Sequence, residues 1–405
     1  MRRAACVGLI GLLAASGVAI ADVVTHWNEK VVAAGYAANQ GPPPHTRMVA
    51  MVHLAMFEAV NSIEPRYQPY RARLAAEPGA SRDAAAAAAA HYLLVRVYPD
   101  QAKEFDKALQ ASLAAVPDAA ARASGVRLGE RAGAAMLAER SNDGAAGPDT
   151  YRPFTTPGRY VPTVLPAASR WPGVRPFALQ SGDQFRPPAP YALTSREWAK
   201  DYDEIRRMGA KSGSARSAEQ TDIARFWELT GAATYNPLVQ HLSAVKGLEV
   251  AENARLFALV SMAAADALIA VFDAKYAYNF WRPVTAIRNG DIHGNDANQR
   301  DPAWEPLIPT PMHPEYPCAH CITQSAAARV LESFFGDSIP AVKLASKTAP
   351  GVTRSFVKLS DYVNEVIDAR VYDGVHYRSS GVVGADMGRK IADYTLQNHL
   401  LPLQH

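Results

Sequence analysis

Along most of the chain apolar residues recur every three to four positions, and stretches of strict apolar–polar alternation are few. That pattern reads as a succession of amphipathic and buried helices. The spacing predicts helices over Val24–Ala34, His45–Ile63, Arg82–Val97, Gln101–Ala115, Ala119–Ser141 and Ser195–Met208. It predicts further ones over Glu219–Glu228, Pro237–Ala244, Glu249–Phe280, Cys318–Phe335, Ser355–Arg370 and Tyr377–Asn398. Gly41-Pro42-Pro43-Pro44 and Arg282-Pro283 mark stops. The expected fold class is all-α, a helical bundle.

One segment departs from the pattern. Residues 147–190 are dense in Pro, Gly and aromatics and have no period. Tyr151, Phe154, Tyr160, Trp171, Phe177 and Phe185 are too many aromatics for a solvated tether, so an irregular excursion packed over the helices is expected. It would close an N-terminal helical half over residues 22–194, with a C-terminal helical bundle over 195–405. The apolar stretch Phe257 to Phe272 contains Asp266 and is shorter than a membrane span, which favours a buried core helix.

The first residues read as an export signal: Arg2-Arg3, an apolar run from Ala4 to Ile20, and small residues around Ala21 before Asp22. Residues 1–21 are therefore expected to be removed, leaving a periplasmic or secreted protein with no stable membrane insertion. The formal net charge of +3 falls nearly to balance without Arg2 and Arg3, which argues against nucleic acid as a partner. Of three cysteines, Cys6 lies in the signal, and Cys318 and Cys321 form a C-x-x-C pair. Such a pair can close as a disulfide in an oxidising compartment but is no framework for a fold.

Three segments in the last third carry the candidate chemistry. Lys275 and Arg282 are seven apart, so on one helix both would leave the same face, about 10 Å apart along it. Their aromatic neighbours Tyr276, Tyr278, Phe280 and Trp281 make a plain solvated stripe a poor description. In the second segment Pro317 suits a first helical turn. Free N–H groups at Cys318, Ala319 and His320 would then face an anion, with His320 as acid or base. His313, Cys318, His320 and Cys321 are all zinc-ligand types, but their spacing fits no common zinc pattern. In the third, Asp373-Gly374 breaks the helix between Arg370 and His376, and a neutral imidazole there can attack phosphorus or coordinate vanadium. The other histidines, among them His45, His53, His91 and His241, read as structural.

Taken in order, Lys275-x6-Arg282-Pro283, Pro317-x-x-His320 and Arg370-x5-His376 resemble the vanadium-dependent haloperoxidase and type 2 phosphatidic acid phosphatase (PAP2) superfamily, whose pattern is K-x6-R-P, P-S-G-H, S-R-x5-H-x3-D. The stretch His53 to Asn61, Gln184-Phe185-Arg186-Pro187, and Glu219-Gln220 followed by Phe226-Trp227 look like the secreted bacterial haloperoxidase branch. The resemblance implies vanadate as cofactor, or phosphate in the same place. Lys275, Arg282 and Arg370, the thiol at Cys318 and the N–H of Ala319 would bind its oxygens, and His376 would bond the vanadium. His320 would be the acid/base and Lys275 would polarise peroxide. His313 and Phe272 would line the halide pocket, His313 standing where the fungal chloroperoxidase type has Phe, which suggests bromide or iodide.

The partners implied are hydrogen peroxide and a halide. The alternatives are a small phosphoester, hydrolysed through a phosphohistidine at His376, or a non-catalytic oxyanion binder; a homodimer is compatible with the resemblance. Three residues depart from the pattern. Cys318 replaces a serine, Ala319 a glycine, and Ser380 the aspartate that orients the essential histidine. Without that carboxylate His376 is expected to be less basic, to the greater detriment of a phosphatase.

Overall fold

The computed structural model describes residues 22–404, so the expected signal over residues 1–21 lies outside them. In chain order the helices are α1 (Val23–Ala37), α2 (Pro42–Ile63), α3 (Arg82–Val97), α4 (Ala102–Ala114), α5 (Ala119–Glu139), α6 (Arg196–Met208), α7 (Ala218–Phe226) and α8 (Ala232–Lys246). They continue as α9 (Val250–Tyr278), α10 (Pro283–Arg288), α11 (Ala319–Phe335), α12 (Leu359–Tyr372) and α13 (Arg378–Asn398). Local sequence sets many of the starts. Asp22, Ser81, Asp118 and Ser195 each accept a backbone N–H from the first turn that follows them, and Ser217 with Gln220 forms a full capping box.

The centre of the bundle is α9, apolar on every side and buried against α2, α11 and α13. It is long and apolar enough to cross a membrane, yet its most apolar stretch is almost wholly enclosed by protein. The expected core helix is thus found, with Asp266 inside it. Asp266 Oδ1 accepts the Phe177 N–H at 2.7 Å, and Oδ2 accepts those of Ala178 and Leu179 at 2.7 and 2.9 Å. This buried carboxyl, which burial raises to about 6, pins the irregular segment to the core. Trp171, Phe177 and Tyr160 of that segment are buried, whereas Phe154 is exposed.

Helices α11 and α13 meet closely along a glycine edge. A Cβ on Gly384 would lie 2.7 Å from the Cys318 carbonyl oxygen, and one on Gly388 would lie 2.3 Å from that of Ile322. The approach fixes where the first turn of α11 sits.

Four expectations need correction. First, α9 ends at Tyr278 rather than Phe280. Asn279 turns left-handed (φ 50°) and Phe280 bridges Arg159, so Arg282 is not on the helix of Lys275 but caps the unforeseen α10. Second, residues 355–358 are strand, not helix. β1 (Ser338–Ala345) and β2 (Thr353–Lys358) form an antiparallel hairpin pairing Val342 with Phe356. Val342, Leu344 and Phe356 turn inward at period two, and α12 begins only at Leu359. Third, α8 begins at Ala232, with Pro237 inside it rather than at its start. Fourth, Pro317 stands before the cap of α11 rather than in its first turn, after a cis Tyr316–Pro317 bond; Cys318 is the cap.

Candidate oxyanion site

Four chain turns converge at one end of α9. Lys275, in the last turn of α9, donates from Nζ to the carbonyls of Pro314 and Glu315 at 2.9 and 2.7 Å. Arg282 donates to the carbonyls of His313 (2.9 Å) and Val375 (2.8 Å), and to His313 Nδ1 (3.0 Å). Its Nη1 also lies 3.3 Å from His376 Nε2. The two cations therefore share a site as expected, although each arrives from a different element.

Arg370 lies in the last turn of α12, and Gly374 (φ +82°) reverses the chain so that the His376 N–H returns to the Arg370 carbonyl at 3.1 Å. A side chain at Gly374 would strike the Gly209 carbonyl at 2.5 Å, so the turn needs glycine on two counts. Arg370 pairs with Asp373 at 2.7 Å and donates to the Trp227 carbonyl at 3.0 Å, leaving its buried Nε without a partner.

The orientation of His376 was not legible as expected. Its Nδ1 is 2.8 Å from Oε1 of Glu315, which also accepts the Tyr377 N–H at 3.1 Å. An arginine can only donate, so Nε2 facing Arg282 carries the lone pair and the ring proton sits on Nδ1, against Glu315. A carboxyl group thus holds the ring, and it does not come from position 380. Ser380 is buried beside the same carboxyl, and its carbonyl takes the Cys318 N–H at 3.1 Å. That bond also removes Cys318 from the expected set of free amides, leaving Ala319 and His320, whose N–H groups no helical carbonyl can reach. The signal for Glu315 was a carboxylate immediately before the Tyr316-Pro317 turn, in a segment already rich in candidate groups.

Burial and mutual repulsion govern the charges. Burial, then Arg282, brings Lys275 well below its ordinary value, and burial lowers Arg282 to about 10. His376 and His320 are pushed well below 6.5, first by burial and then by Arg282 and Arg370 respectively. Burial raises Glu315 to about 8 and Asp373 to about 7. Three buried basic side chains, two carboxyls raised by burial, one guanidinium nitrogen unpartnered and two amides without a helical acceptor form a donor-rich cluster able to receive an anion.

His320 Nε2 is 3.1 Å from the Glu228 carbonyl, so Nε2 carries the proton and Nδ1 the lone pair. His313 meets Phe272 edge-to-face at 5.1 Å, and both line a cavity of about 970 Å³. Ala319, His320 and His376 line the same cavity, with Leu165 and Met312 further along its wall. Cys318 and Cys321 are both free thiols, with their sulfurs 2.9 Å apart.

Residues 255–403 match the VCPO second helical-bundle domain family. The vanadium chloroperoxidase of Curvularia inaequalis is 25% identical over 388 residues, 74% of this chain and 62% of that protein. The chain thus matches less than two thirds of the length of that relative. Among solved structures, a bacterial vanadium-dependent iodoperoxidase superposes with a TM-score of 0.78 at 24% identity, covering 95% of this chain and 98% of that one. An apo bacterial vanadium-dependent chloroperoxidase gives 0.72 at 19% identity, covering 88% and 93%. These two likenesses are of fold.

Proposed function

For a chain that belongs to the vanadium haloperoxidase and PAP2 superfamily, we propose the function of an exported, vanadate-dependent haloperoxidase that oxidises bromide or iodide with hydrogen peroxide. The observation that carries this reading is the lone pair of His376 Nε2, set by Glu315 and presented among three buried cations. The donor set fits vanadate, since Arg370 Nε is buried and unpartnered and the Ala319 and His320 amides have no helical acceptor. Lys275, Arg282, Arg370 and these amides would hold its oxygens, and His376 would bond the vanadium. Bound vanadate supplies the Lewis acidity that lets peroxide oxidise a halide by two electrons.

The protein's own part is positional and protonic. Low basicity keeps His376 and His320 neutral at neutral pH. His320 can then take a proton from peroxide at Nδ1 while the Glu228 carbonyl fixes its other nitrogen. Lys275, anchored by two carbonyls, keeps its remaining N–H for the peroxide oxygen. Phe272 and His313 form the apolar and polar walls of the halide approach. The preference for bromide or iodide rests on His313, and export rests on the sequence of residues 1–21.

Glu315 also favours a second reading. A carboxyl on Nδ1 is what a phosphohistidine nucleophile needs, so the absence of aspartate at Ser380 no longer weighs against hydrolysis of a small phosphoester at the same site. Added orthovanadate separates the two, since it would activate the peroxidase and inhibit the phosphatase. Peroxide-dependent iodide oxidation and hydrolysis of an aryl phosphate, each measured across a vanadate titration, read that sign. Hydrolysis blocked by vanadate, with no halide oxidation, would replace the first reading by the second.

A further inference from the structure

Cys318 and Cys321 have no role in the chemistry above beyond a thiol beside the oxyanion, yet their arrangement is specific. Cys321 donates to the Cys318 sulfur twice, from its backbone N–H at 3.3 Å and from its own S–H, with the sulfurs 2.9 Å apart. Cys318 caps the N-terminus of α11, where the helix dipole favours a negative sulfur. It also feels the positive charges of Arg370 and Lys275. Cys321 lies one turn into the helix, where burial and the neighbouring Cys318 sulfur outweigh the pull of Arg370. One sulfur is thus set up as a thiolate and the other as a thiol. Burial works against the Cys318 thiolate, while the Cys321 S–H and the Arg370 guanidinium favour it. Burial drives Cys321 upward.

Both sulfurs are buried, but the residues between them, Ala319 and His320, line the cavity of about 970 Å³. The cavity thus ends at the first turn of α11, the route a small neutral oxidant would take. We propose that Cys318 and Cys321 are a peroxide-oxidised dithiol inside the anion site, with Cys318 the attacked sulfur and Cys321 the resolving one.

The Cys318 thiolate attacks one oxygen of hydrogen peroxide. An S–O bond forms, the O–O bond breaks, and hydroxide leaves to give the sulfenic acid. The Cys321 sulfur then attacks that sulfur and its S–H proton leaves with the hydroxyl as water, closing the disulfide. In sum, one thiolate, one thiol and one peroxide give one disulfide, one hydroxide and one water. Closing the disulfide replaces a negative sulfur at the cap of α11 by a neutral one. The inference rests on the oxyanion-site reading only for where peroxide arrives, and its readout needs neither halide nor turnover.

The test uses the full chain, reduced with dithiothreitol, desalted, and given one equivalent of hydrogen peroxide. Alkylation under denaturing conditions and peptide mapping read the 318–321 peptide separately from Cys6. The expected result is an unalkylated peptide two hydrogens lighter than its reduced form. In Cys321→Ser a sulfenic-acid probe should label Cys318, and in Cys318→Ser Cys321 should stay reduced under the same conditions. Orthophosphate present during oxidation should slow the loss of thiols in the parent chain. Two cysteines still fully alkylated after peroxide, or Cys321 labelled in Cys318→Ser as fast as Cys318 is in Cys321→Ser, would overturn the proposal. The parent chain alone gives the first of these results, so a variant that fails to fold does not obscure it.

Discussion

Oε1 of Glu315 lies 2.8 Å from Nδ1 of His376 and 3.1 Å from the backbone nitrogen of Tyr377, so one carboxyl oxygen fixes both a ring and the start of the helix beyond it. The ring cannot rotate without breaking its bond to an acceptor that is itself tied, through its backbone carbonyl, to Lys275. Orientation of the central imidazole and placement of the lysine are therefore one structural decision.

Removing that acceptor should loosen the anion. Glu315→Ala leaves two buried N–H donors unsatisfied and is expected to lower orthovanadate affinity by about 10–100-fold. Glu315→Gln keeps an acceptor at the same place. Since burial raises Glu315 to about 8, the parent carboxyl is mostly protonated at pH 6 and resembles the amide. The parent and Glu315→Gln should bind vanadate alike at pH 6 and diverge as pH rises through about 8, where only the parent gains a charge. Binding titrations of both chains from pH 6 to pH 9 measure the divergence.

The same geometry predicts an unusual imidazole. His376 is lowered well below 6.5 by burial and by Arg282, so in the anion-free protein the neutral ring persists as pH falls through its ordinary value and protonates only further down. Nitrogen NMR of histidine-labelled protein should show Nδ1 protonated and Nε2 bare at pH 6. A ring that titrates near 6.5 would show that burial and Arg282 do not hold the imidazole neutral in solution.

Packing and site are linked through α13. Gly384→Ala places a methyl group where the Cys318 carbonyl now stands, 2.7 Å away, and backbone must move to admit it. The variant should lose about 1–3 kcal/mol of stability. It should also bind vanadate more weakly, because the Ala319 and His320 amides move with that turn. Denaturant unfolding and a vanadate titration of the same preparation report the two effects.

Asp266 is the corresponding test for the irregular segment. Asp266→Leu removes an acceptor for three buried N–H groups, and a destabilisation of about 2–4 kcal/mol is expected. Limited proteolysis between residues 147 and 190 should accelerate in step, since the carboxyl is what ties that segment to the core.

Most of the bundle was legible because α2, α3, α9 and α11 are long runs of buried, mostly apolar residues too long for strands. The β1–β2 hairpin was missed because its inward positions are only Ile339, Val342, Leu344 and Phe356, too few to stand out against a following helix. Lys275 and Arg282 were rightly brought to one place, but by the wrong path, since nothing local announces that Asn279 turns left-handed. Glu315 escaped for a different reason. Its role arises from a long-range bond to His376, and the expected partner at position 380 was sought by spacing alone.

The most direct test of the central claim is bromination of an activated diketone by the purified chain with peroxide and bromide, as orthovanadate is titrated in. Turnover that rises with vanadate and is absent in His376→Ala at every vanadate concentration is the predicted result. Turnover that ignores vanadate, or survives intact in His376→Ala, would contradict a vanadate site built on that imidazole.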